Sequence, residues 1–448
     1  MTKHPVKPKH RADRIGLLAY LRAFRRDILS AQPARLYHAW MAEFKTPFFR
    51  SVLINQPDLI KLVLKQRPKD FPKSDSIGEG LRPLLGESVF LTNGELWERQ
   101  RRIIDPAFEG GRLRDVYPHM QAAADAMMGR LTMGRHEVEE IASYAAADII
   151  FRTLFSMPIE ASAAQDVFHE FRRYQRAQPL LNLGAFIPLP KWMPRFHKRD
   201  TLQSAHRIRA LIGAMTQARA NEIEAGKAPD DLATKIMTTV DPETGDRFSW
   251  DEMVDQVAIF FLAGHETSAS ALAWALYLVA AFPEWQDKIA AEAKALDGGF
   301  AGVAKLKATR SVFRETLRLY PPVPMMVRET VQCERFRDRD IPAKTSVVIS
   351  PWHVHRQDRL WDNPDGFDPN RWESENGKAC ARDAFIPFSA GPRVCPGAGF
   401  AMIEGVMLLA YILRKYRVML HDADTPVPVA HLTVRAKNGI FLQFDYRD

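Results

Sequence analysis

A long apolar run from Val257 to Phe282 is the feature that most constrains how this chain can fold. It is long enough to resemble a membrane-spanning helix, which needs about 20 apolar residues. His265 and Glu266 lie within the run, and ionisable side chains are costly in the hydrocarbon core of a bilayer. The run therefore predicts a long helix that crosses the interior of a large water-soluble protein.

A polar cluster, Ala263-Gly-His-Glu-Thr-Ser268, interrupts this run. Glycine in mid-helix costs about 1 kcal/mol relative to alanine, so Gly264 suggests that another group approaches the backbone. Thr267 could turn its hydroxyl toward that gap and loosen the helix locally. The alternative is a slightly polar patch in a core helix. A zinc-protease site is excluded, because Ala269 stands where the motif H-E-x-x-H requires its second histidine.

One thiol, Cys395, is surrounded by turn-forming residues in the run Phe388-Ser-Ala-Gly-Pro-Arg-Val-Cys-Pro-Gly397. The apolar stretch from Ala398 to Leu413 that follows has the pattern of a helix. A thiolate at a helix N-terminus is stabilised by backbone N–H groups and by the helix dipole. Such a thiolate can be the axial ligand of a haem iron. The alternative is an ordinary structural cysteine in a loop.

These two stretches resemble signatures of the cytochrome P450 family. The haem-binding pattern F-x-x-G-x-R-x-C-x-G is matched at Phe388, Gly391, Arg393, Cys395 and Gly397. The oxygen-binding pattern A-G-x-[DE]-T is matched by residues 263–267. The resemblance implies a mainly α fold, in which a large helical domain accompanies a small β-rich region. It also implies heme b, bound through iron by the Cys395 thiolate, between the Glu266/Thr267 helix and the Cys395 loop.

The same resemblance implies a haem-thiolate monooxygenase, which inserts one oxygen atom of O₂ into a lipophilic organic substrate. Thr267 would hydrogen-bond the oxygen and Glu266 would relay protons through ordered water, with Ala263 and Gly264 beside them. A peroxide-using enzyme or a hydroperoxide isomerase fits less well, because neither chemistry needs the protonation of O₂ for which Glu266 and Thr267 are suited. Outside the enzyme class, a haem-based sensor or carrier without turnover is the alternative.

A third group of residues is expected to be structural. Glu315 and Arg318 lie three apart on one helical face, which alone would be an ordinary surface pair. Their spacing resembles the family's E-x-x-R helix, and Pro364 to Trp372 resembles its partner segment P-x-x-F-x-P-x-R-F/W. The resemblance implies that Arg371 joins Glu315 and Arg318 in a buried network under the haem loop.

Four cationic or aromatic side chains match the residues with which the family holds the haem propionates. Trp97 and Arg101 lie four apart and resemble the family's W-x-x-x-R helix, whereas an exposed Trp–Arg contact is the simpler interpretation. Arg328 and Arg393 match two further propionate partners by position. Buried carboxylates need such cations, so the resemblance implies a propionate site at these four residues.

Substrate contacts are expected on an apolar lining. Ile259, Phe260, Ala263 and Thr267 share a helical stripe that could face the haem. Met325, Met326 and Val327 follow the Glu315 helix, where the family places substrate-contacting residues; for the methionines, ordinary core packing is the alternative. Residues 74–92 have the pattern of a mobile loop over the site. Such a lining predicts a lipophilic substrate.

The composition favours an intracellular enzyme. Among 448 residues there are three cysteines, an odd number without disulfide-framework spacing, so a reducing, cytoplasmic compartment is expected. No linker or repeat divides the chain, which predicts a single catalytic domain over residues 1–448 without a fused reductase. Electrons would come from a separate ferredoxin with its reductase, or from a flavoprotein. The net charge of +8 favours a basic docking face over nucleic-acid binding, for which no motif is present.

Three further regions have recognisable patterns. The stretch from Ile15 to Leu29 mixes apolar residues with arginines, which predicts a first helix packed on the core or a weak membrane-surface contact, without a transmembrane anchor. Residues Pro118 to Phe155 have a continuous helical pattern. The pair Asn438-Gly439, between two strand-like runs of Leu432 to Phe444, predicts a β-hairpin.

Overall fold

A computed structural model describes residues 4–45, 50–109, 111–177, 199–296, 298–421, 425–430 and 432–447. The chain forms two compact units, and each is assembled from separated parts of the sequence. Unit 1 contains Met1–Phe71, Met127–Ser143 and Thr267–Asp448. Unit 2 contains Pro72–Ala126 and Tyr144–Glu266.

Helices make up most of the described chain. In chain order the α-helices are α1 Leu17–Arg26, α2 Pro57–Lys61, α3 Asp75–Gly78, α4 Arg82–Leu85, α5 Gly94–Ile104, α6 Arg112–Arg130, α7 Val138–Phe155, α8 Ser162–Ala177, α9 Arg199–Glu224, α10 Leu232–Thr238, α11 Trp250–Ala281, α12 Glu284–Lys294, α13 Phe300–Val303, α14 Lys307–Leu319, α15 Pro351–Val354, α16 Glu375–Asp383 and α17 Ala398–Lys415. The strands are β1 Met41–Lys45, β2 Arg50–Ile54, β3 Gly134–Glu137, β4 Met326–Glu329, β5 Glu334–Phe336, β6 Arg339–Ile341, β7 Ser346–Ile349, β8 Tyr416–Leu420, β9 Pro428–Ala430, β10 Val434–Ala436 and β11 Phe441–Tyr446.

All of these strands belong to unit 1. The largest sheet has the order β1-β2-β7-β4, in which β2 runs parallel to β7 and the other pairs are antiparallel. A second sheet has the order β3-β11-β8. Val52 and Ile54 of β2, and Val347 and Ile349 of β7, are fully buried, as expected for the central strands of a covered sheet. This sheet positions β4, which carries Arg328.

Helix α17 lies in the helical core of unit 1, against α12 and α14. Gly405 makes the approach to α14 possible, because an added Cβ would lie 2.0 Å from the Phe313 ring. Leu408, Leu409 and Ile412 are buried with it. The loop that carries Cys395 is therefore attached to a helix that is fixed by packing over most of its length.

All the secondary-structure elements of the described part of unit 2 are helices. Helices α8 and α9 pack on each other, and α9 also contacts α4 and α10. Helix α7 packs on the first part of α11, where the ring centroids of Phe151 and Phe261 are 4.5 Å apart. A third aromatic ring, Phe171 of α8, lies 5.9 Å from Phe261. These contacts hold the N-terminal half of α11.

The long helix predicted from the Val257–Phe282 run is confirmed as α11, Trp250–Ala281. Its residues up to Glu266 belong to unit 2 and those from Thr267 onward to unit 1. Most of its side chains are buried, which explains why the run is apolar on nearly all faces. Among the described residues, no helix is long and apolar enough to cross a membrane.

Two of the secondary-structure predictions were wrong. The helical pattern of Pro118 to Phe155 is divided into α6 and α7 by the short strand β3, which begins at Gly134 with a φ of +119°. The predicted hairpin around Asn438-Gly439 is absent: β10 pairs with β9, and β11 pairs with β3 and β8. Gly439 does have a positive φ, of +80°, so the turn was recognised but the strand partners were not.

The N-terminal helix was predicted only in part. Helix α1 forms and packs on unit 1, where the ring centroids of Tyr20 and Phe44 are 4.4 Å apart, but it covers only Leu17–Arg26 of the predicted stretch and none of its residues is fully buried. Leu18 is 81% exposed and the arginines of the helix point to solvent, whereas Leu17, Tyr20, Leu21 and Phe24 are half-buried. The apolar face of α1 thus covers the surface of unit 1 without entering it.

Candidate functional site

The Cys395 loop has the local geometry that its sequence predicted. A short 3₁₀ turn, Gly391–Arg393, precedes the cysteine, and α17 begins three residues after it, at Ala398. The Cys395 N–H donates to the Phe388 carbonyl at 3.0 Å, and the Val394 N–H donates to the Gly391 carbonyl at 3.0 Å. These bonds fold the loop back on itself. The Cys395 thiol is exposed at the N-terminal end of α17, where the helix dipole favours the thiolate.

Gly391 is required for this loop by two independent constraints. Its φ is +71°, in the left-handed region that favours glycine. An added Cβ would also lie 1.9 Å from the Leu64 carbonyl oxygen. Leu64 belongs to the π-helical turn Leu62–Gln66 of unit 1, so the Cys395 loop rests directly on that turn. The close contact with the Leu64 backbone and the positive φ thus explain why a glycine stands at position 391, four residues before Cys395.

Arg328 and Arg393 form a positively charged site in unit 1. Arg328 is only 7% exposed, and its guanidinium donates to the Val327 carbonyl at 3.0 Å. Burial, and then the charge of Arg393, lower the pKa of Arg328 to about 10. No carboxylate of the described residues raises it. A buried guanidinium beside a half-buried one favours an anionic ligand, and the two carboxylates of a haem fit this requirement.

Trp97 and Arg101 lie together on α5 of unit 2, as predicted. The Arg101 guanidinium is 5.9 Å from the centroid of the Trp97 indole. Arg101 also forms an ion pair with Asp105, one turn further along, at 2.7 Å. Asp105 was not among the predicted site residues, although its i, i+4 spacing from Arg101 was a usable signal. Burial raises the pKa of Asp105 against the opposing effect of Arg101.

Helix α11 has an open strip on one side. Ala263 is exposed, and Phe260, Gly264, Thr267 and Ser268 are half-buried, although the helix around them is buried. These positions recur at i, i+3, i+4, i+7 and i+8, which places them on one face. Apart from Phe260, the side chains of this strip are small or carry a hydroxyl, so the strip leaves room for a bound group against the helix.

Two predicted members of the α11 site lie away from the open strip. Ile259 is 4% exposed and Glu266 is 8% exposed, so both are buried beside it. The group that approaches the backbone at Gly264 is the side chain of Ile150 on α7, to which an added Cβ would come within 2.4 Å. The prediction that another group approaches the backbone at Gly264 is therefore confirmed, and the group belongs to α7.

The Glu315 network is present in unit 1 and is fully buried. The Arg318 guanidinium donates to both carboxylate oxygens of Glu315, at 2.8 and 2.9 Å, and Arg371 donates to Glu315 at 3.2 Å. Glu315 and Arg318 have no exposed surface, and Arg371 is 5% exposed. The spacing E-x-x-R and the later arginine thus predicted a three-membered ionic cluster that the structure brings together.

Backbone carbonyls complete this cluster. These carbonyl contacts could not be predicted from the sequence motifs. The Arg318 guanidinium also donates to the carbonyls of His355, Pro364 and Gly366, at 2.8, 2.6 and 2.8 Å. The Asp368 N–H donates to Glu315 at 3.1 Å. Each charge is therefore satisfied by hydrogen bonds as well as by its counter-charge, which is the condition under which a buried ion pair is tolerated.

The segment of residues 74–92, predicted as a mobile loop, contains helices α3 and α4 and is held to α11 within unit 2. The Glu87 N–H donates to Asp255 at 2.8 Å, and the Val89 N–H donates to Gln256 at 2.9 Å. Arg209 of α9 donates to the same Asp255 at 2.7 Å. Met325, Met326 and Val327, the other predicted substrate contacts, are half-buried at the start of β4.

The chain is similar to known proteins over most of its length, both in sequence and in fold. A family model described as Cytochrome P450 matches residues 40–444. The cytokinin hydroxylase of Arabidopsis thaliana is 28% identical over 430 residues, covering 90% of this chain and 82% of that protein. The cyclooctat-9-en-7-ol 5-monooxygenase of Streptomyces melanosporofaciens is 30% identical over 402 residues, covering 88% of this chain and 84% of that protein. The crystal structure of the cytochrome P450DA heme domain has the same fold, with a TM-score of 0.82 at 23% identity, covering 99% of this chain and 98% of that one.

Proposed function

This chain belongs to the cytochrome P450 family, and on that basis we propose that Cys395 is the ligand of its haem and that Thr267 and Glu266 serve its reaction with oxygen. The chain is a haem-thiolate monooxygenase, which uses O₂, a lipophilic substrate and electrons from separate redox partners. The observation that carries the residue assignment is the thiol of Cys395, presented at the N-terminus of α17 by a loop that Gly391 fixes on Leu64.

Bound haem supplies the iron at which O₂ is activated and one oxygen atom is transferred to the substrate. The Cys395 thiolate would bind that iron, and the dipole of α17 would keep the sulfur deprotonated. Phe388 and Gly397 flank the cysteine in the loop and would shape the surroundings of the sulfur. Arg328 and Arg393, and by the family resemblance Trp97 and Arg101, would bind the propionates. The guanidinium pair of Arg328 and Arg393 supports this assignment.

Thr267 would donate or accept a hydrogen bond at the oxygen, because its side chain lies on the open strip of α11 together with Ala263 and Gly264. Glu266, the next residue, is buried beside the strip and would pass protons toward it through ordered water. Phe260, and Met325 to Val327 at the start of β4, would provide the apolar contacts to the substrate. Ile259, the other predicted contact on α11, is buried beside the strip and would take part through packing.

Thr267→Ala is expected to uncouple electron consumption from product formation. The variant keeps the fold and the substrate pocket, but protons no longer reach the correct oxygen atom, so hydrogen peroxide is released instead of product. We expect the ratio of product to reduced nicotinamide consumed to fall several-fold, measured by product chromatography and a peroxide assay. Thr267→Ser retains the hydroxyl and is the matched control. Equal coupling in the alanine variant and the wild type would show that Thr267 is only a helix residue.

The two units are proposed to act as one catalytic domain over residues 1–448, because the family match runs through both of them. A ferredoxin with its reductase, or a flavoprotein, is proposed as the electron donor, and the cytoplasm as the location. The net charge of the chain, +8 at pH 7, supports an electron donor with an acidic docking surface. Candidate substrates are to be found by screening a lipophilic library for compounds that shift the ferric haem from low to high spin.

Turnover with these compounds tests the proposed function. Surrogate ferredoxin and reductase are added to the purified holoenzyme, and consumption of reduced nicotinamide is followed together with oxygenated product. A monooxygenase consumes nicotinamide in a substrate-dependent manner and forms product in proportion. Substrate-independent consumption without product, at full haem content, would favour a haem-based sensor or carrier. Product formed from hydrogen peroxide alone, with no need for a donor, would favour a peroxide-using enzyme.

A further inference from the structure

An acidic residue outside the assigned machinery pairs with Arg101. The Asp105 carboxylate lies 2.7 Å from the Arg101 Nε, one helical turn further along the chain. Asp105 ends α5 and begins the short 3₁₀ turn Asp105–Ala107. The dipole of a helix disfavours a negative charge at its C-terminal end. The stability of α5 therefore does not explain an aspartate at this position, and the contact with Arg101 is the role that the structure shows for it.

The ion pair uses one end of the Arg101 guanidinium. Of the five N–H donors of an arginine, one is at Nε and four are at the two Nη atoms. Asp105 lies at Nε, and the centroid of the Trp97 indole is 5.9 Å from the same guanidinium. The Nη atoms include donors with which arginine binds a carboxylate in a bidentate manner. Arg101 can thus bind a second carboxylate while Asp105 keeps the side chain in place.

Arg101 is the main counter-charge of Asp105. Burial raises the pKa of Asp105, Arg101 opposes this effect, and the negative charge of Glu109 adds to it. Helix α10 packs against the same 3₁₀ turn, but the charge of its Lys235 acts on Asp230. The other arginines of α5 pair with carboxylates of their own, Arg99 with Glu252 and Arg102 with Asp241. In the described part of unit 2, Arg101 and Asp105 thus chiefly compensate each other.

We propose that Asp105 is a positioning residue for Arg101 and that its negative charge lowers the reduction potential of the haem. The proposal rests on the assignment of Arg101 to a haem propionate. Arg101 and Asp105 together carry no net charge, whereas an uncompensated arginine would place a full positive charge beside the propionate. Reduction adds one electron, supplied by the redox donor, to the haem, and a nearby positive charge favours that step. The ion pair therefore keeps the potential lower than Arg101 alone would.

Two substitutions separate the positioning of Arg101 from the effect of charge. Asp105→Asn keeps the shape of the side chain and an acceptor oxygen for the Arg101 Nε, but it removes the negative charge. Asp105→Ala removes the acceptor as well. Asp115→Asn is the matched control in the same unit, because Asp115 pairs with Arg112 at 3.3 Å and its side chain is 50% exposed. Solvent screens the charge of such a residue.

The first measurement is the redox titration of the substrate-free holoenzymes. We expect Asp105→Asn to raise the haem potential, by an amount that corresponds to a shift of the equilibrium toward reduced haem of up to about tenfold, or about 59 mV for a one-electron couple. Asp115→Asn should leave the potential at the wild-type value. An unchanged or lowered potential in Asp105→Asn would overturn the proposal.

The second measurement is the rate at which haem passes from the holoenzyme to excess apomyoglobin. Asp105→Ala should lose haem several-fold faster than the wild type, because Arg101 is no longer held in place. Asp105→Asn should lose haem no faster than the wild type, since the amide oxygen still accepts from Nε. Equal rates of haem loss in the wild type and Asp105→Ala would contradict the positioning role.

The pH dependence of the potential provides a third measurement. Burial raises the pKa of Asp105 above its ordinary value of 3.8, and the charge that lowers the potential is present only above that pKa. The wild type and Asp105→Asn should therefore differ most at alkaline pH, and the difference should shrink as the pH falls toward the pKa of Asp105. A difference that grows as the pH is lowered would assign the effect to another group and overturn the proposal.

Arg101→Gln distinguishes failure of this proposal from failure of the propionate assignment. If Arg101→Gln alters neither the potential nor the rate of haem loss, Arg101 does not serve the haem, and the assignment on which the proposal rests is wrong. If Arg101→Gln accelerates haem loss while Asp105→Asn and Asp105→Ala behave as the wild type, Arg101 binds the haem without help from Asp105. In that case the assignment stands and the proposal is overturned.

Discussion

Cys395→Ser is expected to abolish the strongly red-shifted Soret band that the reduced, CO-bound wild type should show. Thiolate ligation produces that band, and a serine hydroxyl is neither deprotonated nor a comparable electron donor to iron at neutral pH. Product formation should fall to background with it, because thiolate donation favours cleavage of the O–O bond. The measurement is the difference spectrum of the dithionite-reduced protein with and without CO, at equal haem content.

The other two cysteines provide matched controls for this change. Cys333 is exposed, and Cys380 is buried, where its thiol donates to the Leu360 carbonyl at 3.2 Å. Burial raises the pKa of Cys380 to about 11, which makes it a poor source of thiolate. Cys333→Ser and Cys380→Ser should both retain the red-shifted band. Persistence of the band in Cys395→Ser would contradict the assignment of the ligand.

Glu315→Gln is expected to destabilise the protein by roughly 3–5 kcal/mol, because it removes from two buried guanidiniums the one acidic partner that the described residues provide. Arg318 and Arg371 would keep their carbonyl acceptors but lose their counter-charge. Haem retention should fall together with the midpoint of denaturant unfolding, since the network holds the segment that follows Pro364. Equilibrium unfolding followed by tryptophan fluorescence and haem absorbance measures both quantities.

Glu375→Gln is a close control for this prediction. Glu375 and Lys378 also form an i, i+3 pair, at 3.0 Å, but the side chain of Glu375 is 93% exposed. An exposed pair of this kind contributes about 0.2–1 kcal/mol at most. The two substitutions make the same chemical change at equal sequence spacing and differ in burial. Similar losses for both would mean that the Glu315 network does not carry the stability assigned to it.

Local spacing was sufficient to predict the parts of this molecule that depend on neighbouring residues. The E-x-x-R pair lies on one helical face by geometry, and the turn residues around Cys395 fix their own loop. The apolar run from Val257 to Phe282 was long enough to specify a buried helix. Each of these predictions needed only the chemistry of about ten to thirty consecutive residues.

Features that depend on distant residues could not be predicted in this way. The Asn438-Gly439 turn was visible, but the partners of β10 and β11 are β9, β3 and β8, and local pattern does not specify which strand lies alongside. The sequence indicated that some group approaches Gly264, but it could not identify that group as Ile150, which belongs to another helix. Glu404, which is buried on α17 and accepts a hydrogen bond from the Ser268 hydroxyl at 2.7 Å, was not among the predicted residues, although it is the single charged residue between Ala398 and Leu413. A lone acid in an apolar helix is informative because burial without a partner is costly.

The strand order of unit 1 also has a consequence for how the chain is made. Strand β2 pairs with β7, and β3 pairs with β11. The first strand of each pair is therefore synthesised long before its partner. At roughly 5–20 residues per second, the ribosome leaves β2 without its neighbour for tens of seconds. Pairing over such sequence distances is also intrinsically slow. Every residue of unit 2 is synthesised before strands β4 to β11 of unit 1. During that time the β1–β2 pair lacks β7 and presents an open strand edge to misassembly and to chaperone binding.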